Sequence, residues 1–580
     1  MTLEFLTGPI RRTVHRGDDD LLSAGLGLAG LAGVSAQFAD PSRPAPEELR
    51  RRAIQTDWKG IADLGPWGGY ARVYGDVPNV PGREFSAFAR LPQARQPHRV
   101  LCQVPDGFDA RARCLVVGPS SGSRGVYGAA ALAGAWGLAH GCAVAYTDKG
   151  TGSGYFDCAD GTGVALEGIR IEAGAAPLEF EPVTAPPDAG IAVKHAHSGD
   201  HPEADWGRHV LQALEFGLAM LDEAFPGQAP FTPYNTRIIA VGISNGGGAV
   251  LQAAGLDRDG WLDGVVALEP NVYVAGRGRA LYDYATEAAL WMPAALTAPQ
   301  FTSAPFARAG GVPAPAWLAR SVNLHTYGLL SPGDDTAAPA EAALEHLRAS
   351  GWRDAVLATA ASCVAFDMWR AVAVTYASTY LRAGVGSMPG GFLYRPVAVP
   401  GVPAQAVRAA WWADGSGIPP HPGIGLFGGL GASADPTLPG VLAVRGLWEG
   451  ADAASRALHA SIDQISAALP RRDLPIWIVH GEEDGLLPAA FTSDPYVEWL
   501  REQGRTPRYW CVPHAQHFDA FLQLPGFGDR YVPLLPYGYL VLDCMYAHVV
   551  QGAPLPDWPT PPSRPRGARA LERTDLGLPS

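Results

Sequence analysis

The chain has 580 residues, with 44 Lys+Arg against 57 Asp+Glu for a formal charge of −13, and it is 47% hydrophobic but 17% charged. A charged share below the roughly 25% of an average soluble protein, beside an ordinary apolar share, argues against intrinsic disorder, a collagen-like repeat or an acidic-tail protein. The acidic balance without basic runs also argues against nucleic acid or an anionic membrane as partner, because no Lys/Arg stripe is available to displace counterions.

At the N-terminus, Arg11 and Arg12 look like a charged start, but Asp18, Asp19 and Asp20 stand directly before the apolar stretch Leu21 to Val34. A secretory leader would be positive there, so this stretch reads as a helix inside the fold. The expected location is the cytoplasm if Met1 is the natural start, with a secreted or periplasmic protein whose leader has been removed as the alternative. No run of about 18 uncharged apolar residues occurs; the best candidate, Ala355 to Leu381, is interrupted by Asp367 and Arg370. The seven cysteines are scattered and lack a C-x-x-C pair, which argues against a zinc site or a disulfide scaffold. They read as small buried hydrophobes, with a Cys142 to Cys158 bridge as the alternative.

From about residue 100 to 280, β-branched runs alternate with helical patterns, as in a parallel sheet with crossover helices. The predicted elements are a strand Cys114 to Val117, a Gly/Ser loop Gly118 to Gly128, a helix Ala129 to His140 and a strand Ala143 to Thr147. After a polar, proline-rich stretch come a helix Pro202 to Phe225, a strand Thr236 to Val241, a helix Gly246 to Ala254 and a strand Gly264 to Leu268. The next segment is helix-rich, notably Ala340 to Ser350 and Trp352 to Arg382, and strands resume at Pro475 to Val479 and Tyr509 to Val512. The expected fold class is therefore α/β: an α/β-hydrolase-like, mostly parallel sheet with helices on both faces and a large helix-rich cap insertion. The expected division is an N-terminal extension (1–105) packed on a catalytic domain (106–275 and 441–550), a cap or lid (276–440) and a mobile Pro/Arg-rich tail (551–580).

The strongest local signal is Gly242-Ile-Ser244-Asn-Gly246, a G-x-S-x-G between a β-branched strand and a helix. That is the context of a nucleophile elbow, in which glycines leave room for a sharp turn carrying a strained serine. A serine hydroxyl needs a histidine base, and the histidine needs a carboxylate to hold its tautomer. In this fold class they follow in the order serine, acid, histidine. Asp484, in His480-Gly-Glu-Glu-Asp484 after the strand Pro475 to Val479, is the expected acid. Glu482 and Glu483 are substitutes, and Glu269 is a lesser candidate that reads better as ordering the pocket. His480 reads as structural. His517, in Pro513-His514-Ala-Gln-His517-Phe-Asp519, is the expected base, ahead of His514. For the oxyanion, the expected donors are the backbone N–H of Asn245 and, from the loop Ser120 to Ser123, that of Ser121.

Two patterns point elsewhere. His195-Ala-His197-Ser-Gly-Asp200-His201 approaches an H-x-H-x-D-H metal motif, but one additional residue precedes the aspartate. Asp148-Lys149-Gly150-Thr151-Gly152 lacks the order of a P-loop and reads as a strand-end loop near the catalytic face. No metal and no cofactor are expected.

Together these segments resemble one family, the bacterial D-3-hydroxybutyrate oligomer hydrolases. The resemblance rests on HRGDDDLLSAGLGLAGL (His15 to Leu31), GPSSGSRGVYG (Gly118 to Gly128), TDKGTG (Thr147 to Gly152) and KHAHS (Lys194 to Ser198). It rests equally on GISNGGG (Gly242 to Gly248), ALEPNVY (Ala267 to Tyr273) and AQHFDAF (Ala515 to Phe521). It implies a serine esterase that cleaves short linear esters of (R)-3-hydroxybutyrate, products of polyhydroxybutyrate breakdown, to monomers, with Ser244 as nucleophile. The substrate would lie under the cap, where Trp291, Trp317, Trp369, Trp411 and Trp412 are groove candidates, although core packing suits each of them better. A tannase- or feruloyl-type esterase, a prolyl-oligopeptidase-like peptidase and an inactive binding protein on the same scaffold are the alternatives.

Overall fold

The structure is a computed structural model that describes residues 3–70, 72–122, 124–308, 310–330, 338–415, 423–431 and 433–579. Ser123, within the expected oxyanion loop, lies outside the described residues.

Nine strands form the main sheet: β1 (Arg11–His15), β2 (Gly82–Ala89), β3 (His98–Pro105), β4 (Cys114–Pro119), β5 (Ala143–Thr147), β6 (Arg237–Ile243), β7 (Gly264–Leu268), β8 (Ile476–Gly481) and β9 (Arg508–Val512). Their order is β1-β2-β3-β5-β4-β6-β7-β8-β9. From β5 to β9 the neighbours run parallel, whereas β1, β2, β3 and β5 pair antiparallel. This is the mostly parallel α/β-hydrolase sheet. Helices Pro202–Ala224 and Asn245–Leu256 pack on one face, and Pro46–Ile61, Val126–Ala139 and Leu535–Gln551 on the other. With both faces covered, β4 and β5 are wholly buried, which is why they read as continuous apolar runs.

The register places the site. Ile243 pairs with Leu268, and Gly481 with Val512, so β6, β7, β8 and β9 end side by side. The residues that follow them, including Ser244 and Glu269, start from one edge of the sheet.

Three expectations need correction. Residues 1–105 are not simply packed on the domain, because they supply β1, β2 and β3 of its sheet. These antiparallel strands carry charged and polar residues such as Arg83, Glu84 and Arg99, so they lack the apolar run that marks a buried parallel strand. The polar stretch before Pro202 is also structured. Strands Tyr155–Asp157, Thr162–Val164, Arg170–Glu172 and Ile191–Val193 join the cap strands Phe392–Pro396 and Ile424–Gly428 in a second sheet, with Tyr394 opposite Ile191. The 155–193 segment and the 392–428 segment therefore share one sheet.

The helix expected over Trp352 to Arg382 is two helices, Asp354–Ala365 and Met368–Tyr380, bent by 75°. Asp367 between them is left-handed at φ 57°, a conformation that Asp tolerates better than most residues, and Arg370 folds back onto its carboxylate. Among the described residues no single helix is long and apolar enough to cross a membrane. Finally, residues 551–580, expected as a mobile tail, are packed: Leu571 and Leu576 are buried, Tyr537 Oη donates to Leu576 O at 2.7 Å, and Asp575 is buried under Arg564. Prolines remove N–H donors from this segment, but they do not prevent an extended chain from laying its leucines on a core.

Candidate active site

Ser244 sits at φ 59° and ψ −123°, immediately before helix Asn245–Leu256. Its N–H is held by Leu268 O at 2.9 Å, and its carbonyl accepts from Asn271 N at 3.0 Å. The flanking glycines are sterically required. A Cβ at Gly242 would lie 2.2 Å from Gly246 O, and one at Gly246 would lie 2.6 Å from Pro119 O. The strained turn leaves Ser244 partly exposed, while the residues behind it are buried.

His517 Nε2 lies 3.1 Å from Ser244 Oγ, and His517 Nδ1 lies 2.7 Å from Asp484 Oδ2. Asp484 is fully buried, and its Oδ1 accepts from Leu486 N at 2.8 Å and Leu487 N at 2.7 Å. His480 Nε2 stands 3.3 Å from Asp484 Oδ2. Its ring is fixed by Leu487 O and Ser493 Oγ, both at 2.7 Å; since a carbonyl only accepts, the ring proton is on Nε2. Burial alone would raise the Asp484 carboxyl, but the charge of His517 and hydrogen bonds from His480 and His517 outweigh it, so Asp484 stays anionic well below the usual range. Burial lowers His517, and the negative charges of Asp484 and Glu269 more than reverse that, so the imidazole is raised.

Of the other sequence candidates, Glu269 reaches the site and the rest lie elsewhere. His514 is half-exposed, 3.4 Å from Glu483. Glu482 pairs with Arg353. Asp519 accepts from Leu534 N, Leu535 N and Tyr74 Oη, and so caps helix Leu535–Gln551. Glu269, which follows β7, is buried with Oε2 2.8 Å from His517 Nδ1. The imidazoles of the His195 to His201 run diverge: His195 goes to Glu203, His197 to Val193 N and His201 to Ser461 O. Asp200 accepts from Arg95 N and Gln96 N. Among the described residues, the acidic and imidazole donors that converge within 4.8 Å are those of Glu269, Asp484 and His517. All seven cysteines are free, so the Cys142 to Cys158 alternative is not realised.

Asn245 and Ser121 both border the pocket in front of Ser244. As the first residue of its helix, Asn245 has an N–H with no intrahelical acceptor. A Cβ on Gly122 would lie 3.0 Å from the Asn245 side chain, so the loop packs closely against the helix start. Behind Asn245 is a buried polar chain that sequence reasoning missed. Lys149 Nζ contacts both Asn245 Oδ1 and Glu203, Glu203 also receives His195 Nε2 at 2.6 Å, and Asn245 Nδ2 donates to Tyr376 Oη at 3.1 Å. Burial would raise Glu203, but the charge of Lys149 and the hydrogen bond from His195 bring it down to about 2. The one available signal was Lys149 itself, one of three lysines in the chain and placed at a strand end.

The pocket is mainly apolar, lined by Ile61, Leu281, Met368, Val372, Leu486 and Phe518 among others. Met368, Val372 and Tyr376 come from one face of a cap helix at i, i+4 and i+8. The five tryptophans considered for a groove are buried in the core clusters and do not line this pocket.

Comparison with known proteins adds the following. The family model described as 3HB-oligomer hydrolase matches residues 3–576. A D-(-)-3-hydroxybutyrate oligomer hydrolase of Paracidovorax citrulli is 38% identical, covering 95% of this chain and 87% of its own length. The one of Cupriavidus metallidurans is 37% identical over 97% and 87%. Among solved structures, feruloyl esterase B from Aspergillus oryzae aligns with 86% of this chain and 84% of its own at TM-score 0.35 and 11% identity. The fold class rests on the strand order above, not on that likeness.

Proposed function

From its membership of the 3HB-oligomer hydrolase family, we propose that this chain hydrolyses short linear (R)-3-hydroxybutyrate oligomers to monomers with Ser244 as nucleophile, His517 as base and Asp484 as the acid that orients it. The observation that carries the reading is the run of contacts from Ser244 Oγ to His517 Nε2 at 3.1 Å and from His517 Nδ1 to Asp484 at 2.7 Å, opening into an apolar pocket.

The chemistry follows from that geometry. As Ser244 Oγ attacks the ester carbonyl, its proton passes to His517 Nε2, and Nδ1–H stays on Asp484. The oxyanion that forms takes hydrogen bonds from the backbone N–H groups of Asn245 and Ser121. Collapse breaks the ester C–O bond, and the leaving alkoxide of the next hydroxybutyrate unit takes the proton from Nε2. Water, deprotonated by the same nitrogen, then attacks the acyl-serine ester and frees Ser244 and the acid. The apolar walls suit the methyl and methylene groups of a hydroxybutyryl unit and exclude bulk water.

The test compares turnover of hydroxybutyrate dimers and trimers, aryl esters and a peptide amide, with Ser244→Ala alongside. The expected result is turnover of the oligoesters that Ser244→Ala abolishes, with Ser244 labelled by an active-site phosphonate. Failure on the oligoesters alone would return the enzyme to the feruloyl-type or peptidase readings, and absence of labelling would point to an inactive binding protein. Activity that survived Ser244→Ala but vanished with a chelator would point to a metal-dependent hydrolase instead.

A further inference from the structure

His517 Nδ1 faces two carboxylates, not one: Asp484 Oδ2 at 2.7 Å and Glu269 Oε2 at 2.8 Å. The two acids arrive from different strands, Glu269 directly after β7 and Asp484 after β8, and Glu269 takes a left-handed φ of 44° in doing so. A left-handed glutamate is uncommon and is held here by Glu269 N donating to Val479 O at 2.8 Å. The backbone is thus bent to bring a second acid to the imidazole.

Their surroundings separate them. Asp484 accepts two backbone N–H groups and lies against two imidazoles, all of which favour its anion. Glu269 is 1% exposed, and neither of its oxygens has a hydrogen bond of acceptable geometry; the 2.8 Å approach to Nδ1 lies off the N–H axis that Asp484 occupies. One N–H cannot serve two anions, and two like charges at such distance in a buried site do not both ionise easily. The charged and titratable groups facing Glu269 are His517, Asp484 and, from the loop after β9, Asp519. Burial first, with the charges of Asp484 and Asp519 adding to it, pushes Glu269 up to about 8 against the pull of His517.

We propose that Glu269 is a second acid for His517, a positioning residue beside the Asp484–His517 pair that orients the Nδ1–H when Asp484 cannot. As a neutral acid it leaves the imidazole free to accept the serine proton. Once ionised, it stabilises the imidazolium and withholds the base. Glu269 thus couples its own proton to the availability of His517 and keeps the ring tautomer doubly specified. This rests on the serine-triad reading of the site.

The experiment uses the full chain with Glu269→Gln, Asp484→Asn and the double variant, each checked for native thermal unfolding, and reads kcat/KM against pH. Glu269→Gln is expected to move the acid limb to lower pH by on the order of one unit, because no second carboxyl then ionises as pH rises and holds the proton on the imidazole. A triad that loses its only acid to Asn falls by roughly 10⁴ through the wrong tautomer. Asp484→Asn is expected to lose less than that, and the double variant at least about tenfold more. A wild-type pH profile in Glu269→Gln, or a double variant no worse than Asp484→Asn, overturns the proposal. Should the Gln variant not fold, Glu269→Asp, which draws the carboxylate back by one methylene, is read in the same way on the pH profile. Residual activity in Ser244→Ala would instead defeat the triad reading itself, so the two failures are distinguishable.

Discussion

The hydroxyl of Tyr376, carried on helix Met368–Tyr380, accepts a hydrogen bond from Asn245 Nδ2 at 3.1 Å, so that helix is tied directly to the residue that follows the candidate nucleophile. The same helix is docked by Ser378 Oγ on Ala196 O and Thr379 Oγ1 on His195 O. Three buried polar contacts along one helix fix its height over the pocket. Tyr376→Phe deletes the acceptor for a buried amide N–H at a cost of about 1 to 3 kcal/mol. The expected outcome is a kcat/KM lowered about tenfold with Ser244 still labelled by phosphonate. Unchanged kinetics would mean that this helix does not hold Asn245.

Lys149 lends itself to a different measurement, because its ammonium is buried between Glu203 and Asn245. Lys149→Met leaves the Glu203 carboxylate buried beside His195, and breaking such a pair typically costs about 3 to 5 kcal/mol. Adding Glu203→Gln removes the stranded charge, so the double variant should regain much of the stability in urea denaturation. Activity should stay down by about tenfold in both, because a cation beside Asn245, the candidate oxyanion donor, is gone in both. If activity returned together with stability, Lys149 would matter to packing alone.

These two networks show where sequence reading stops. The candidates Ser244 and Asp484 stand out because each follows a buried parallel strand with a visible apolar run, and because the elbow glycines are steric necessities, whereas His517 follows the only partly buried β9. β1, β2 and β3 do not stand out, since antiparallel strands bearing Arg83, Glu84 and Arg99 have no such run. Lys149, Glu203, Asn245 and Tyr376 lie on four separate stretches of chain, and Glu269 reaches His517 only through the register of β7 against β8. Pairings of that kind are set by the sheet, not by spacing along the chain. The break at Asp367 was hidden for another reason: both halves of the stretch keep an apolar helical pattern, and the left-handed residue between them leaves no mark in composition.

The pH dependence of turnover follows from the charges around His517. The base works only as neutral imidazole, and its conjugate acid is stabilised by Asp484, which stays anionic. Its value in the folded enzyme is therefore raised above the ordinary 6.5, and the free base accumulates only as pH rises through that raised value. The acid limb of kcat/KM on an oligomer should have its midpoint above pH 6.5. A midpoint at or below that value would mean that Asp484 does not carry the charge assigned to it.

Asp57 gives the last prediction, on stability. It lies in helix Pro46–Ile61, 3% exposed, with Oδ1 unpartnered. Burial raises its carboxyl, the charge of Arg124 lowers it and that of Asp148 raises it, with a net result of about 7. In the unfolded chain the same group titrates near 3.8. Between roughly pH 4 and 7 the native state therefore keeps a proton that the unfolded state has released, and stability falls as pH climbs through that window and levels off above it. Asp57→Asn removes the titration while keeping the shape. Its Tm relative to wild type should rise from pH 4.5 to pH 7 by on the order of 1 °C or more, and then stay constant to pH 8.5. A difference that does not change with pH would show that Asp57 is already ionised in the folded protein, with Arg124 supplying enough charge to hold it so.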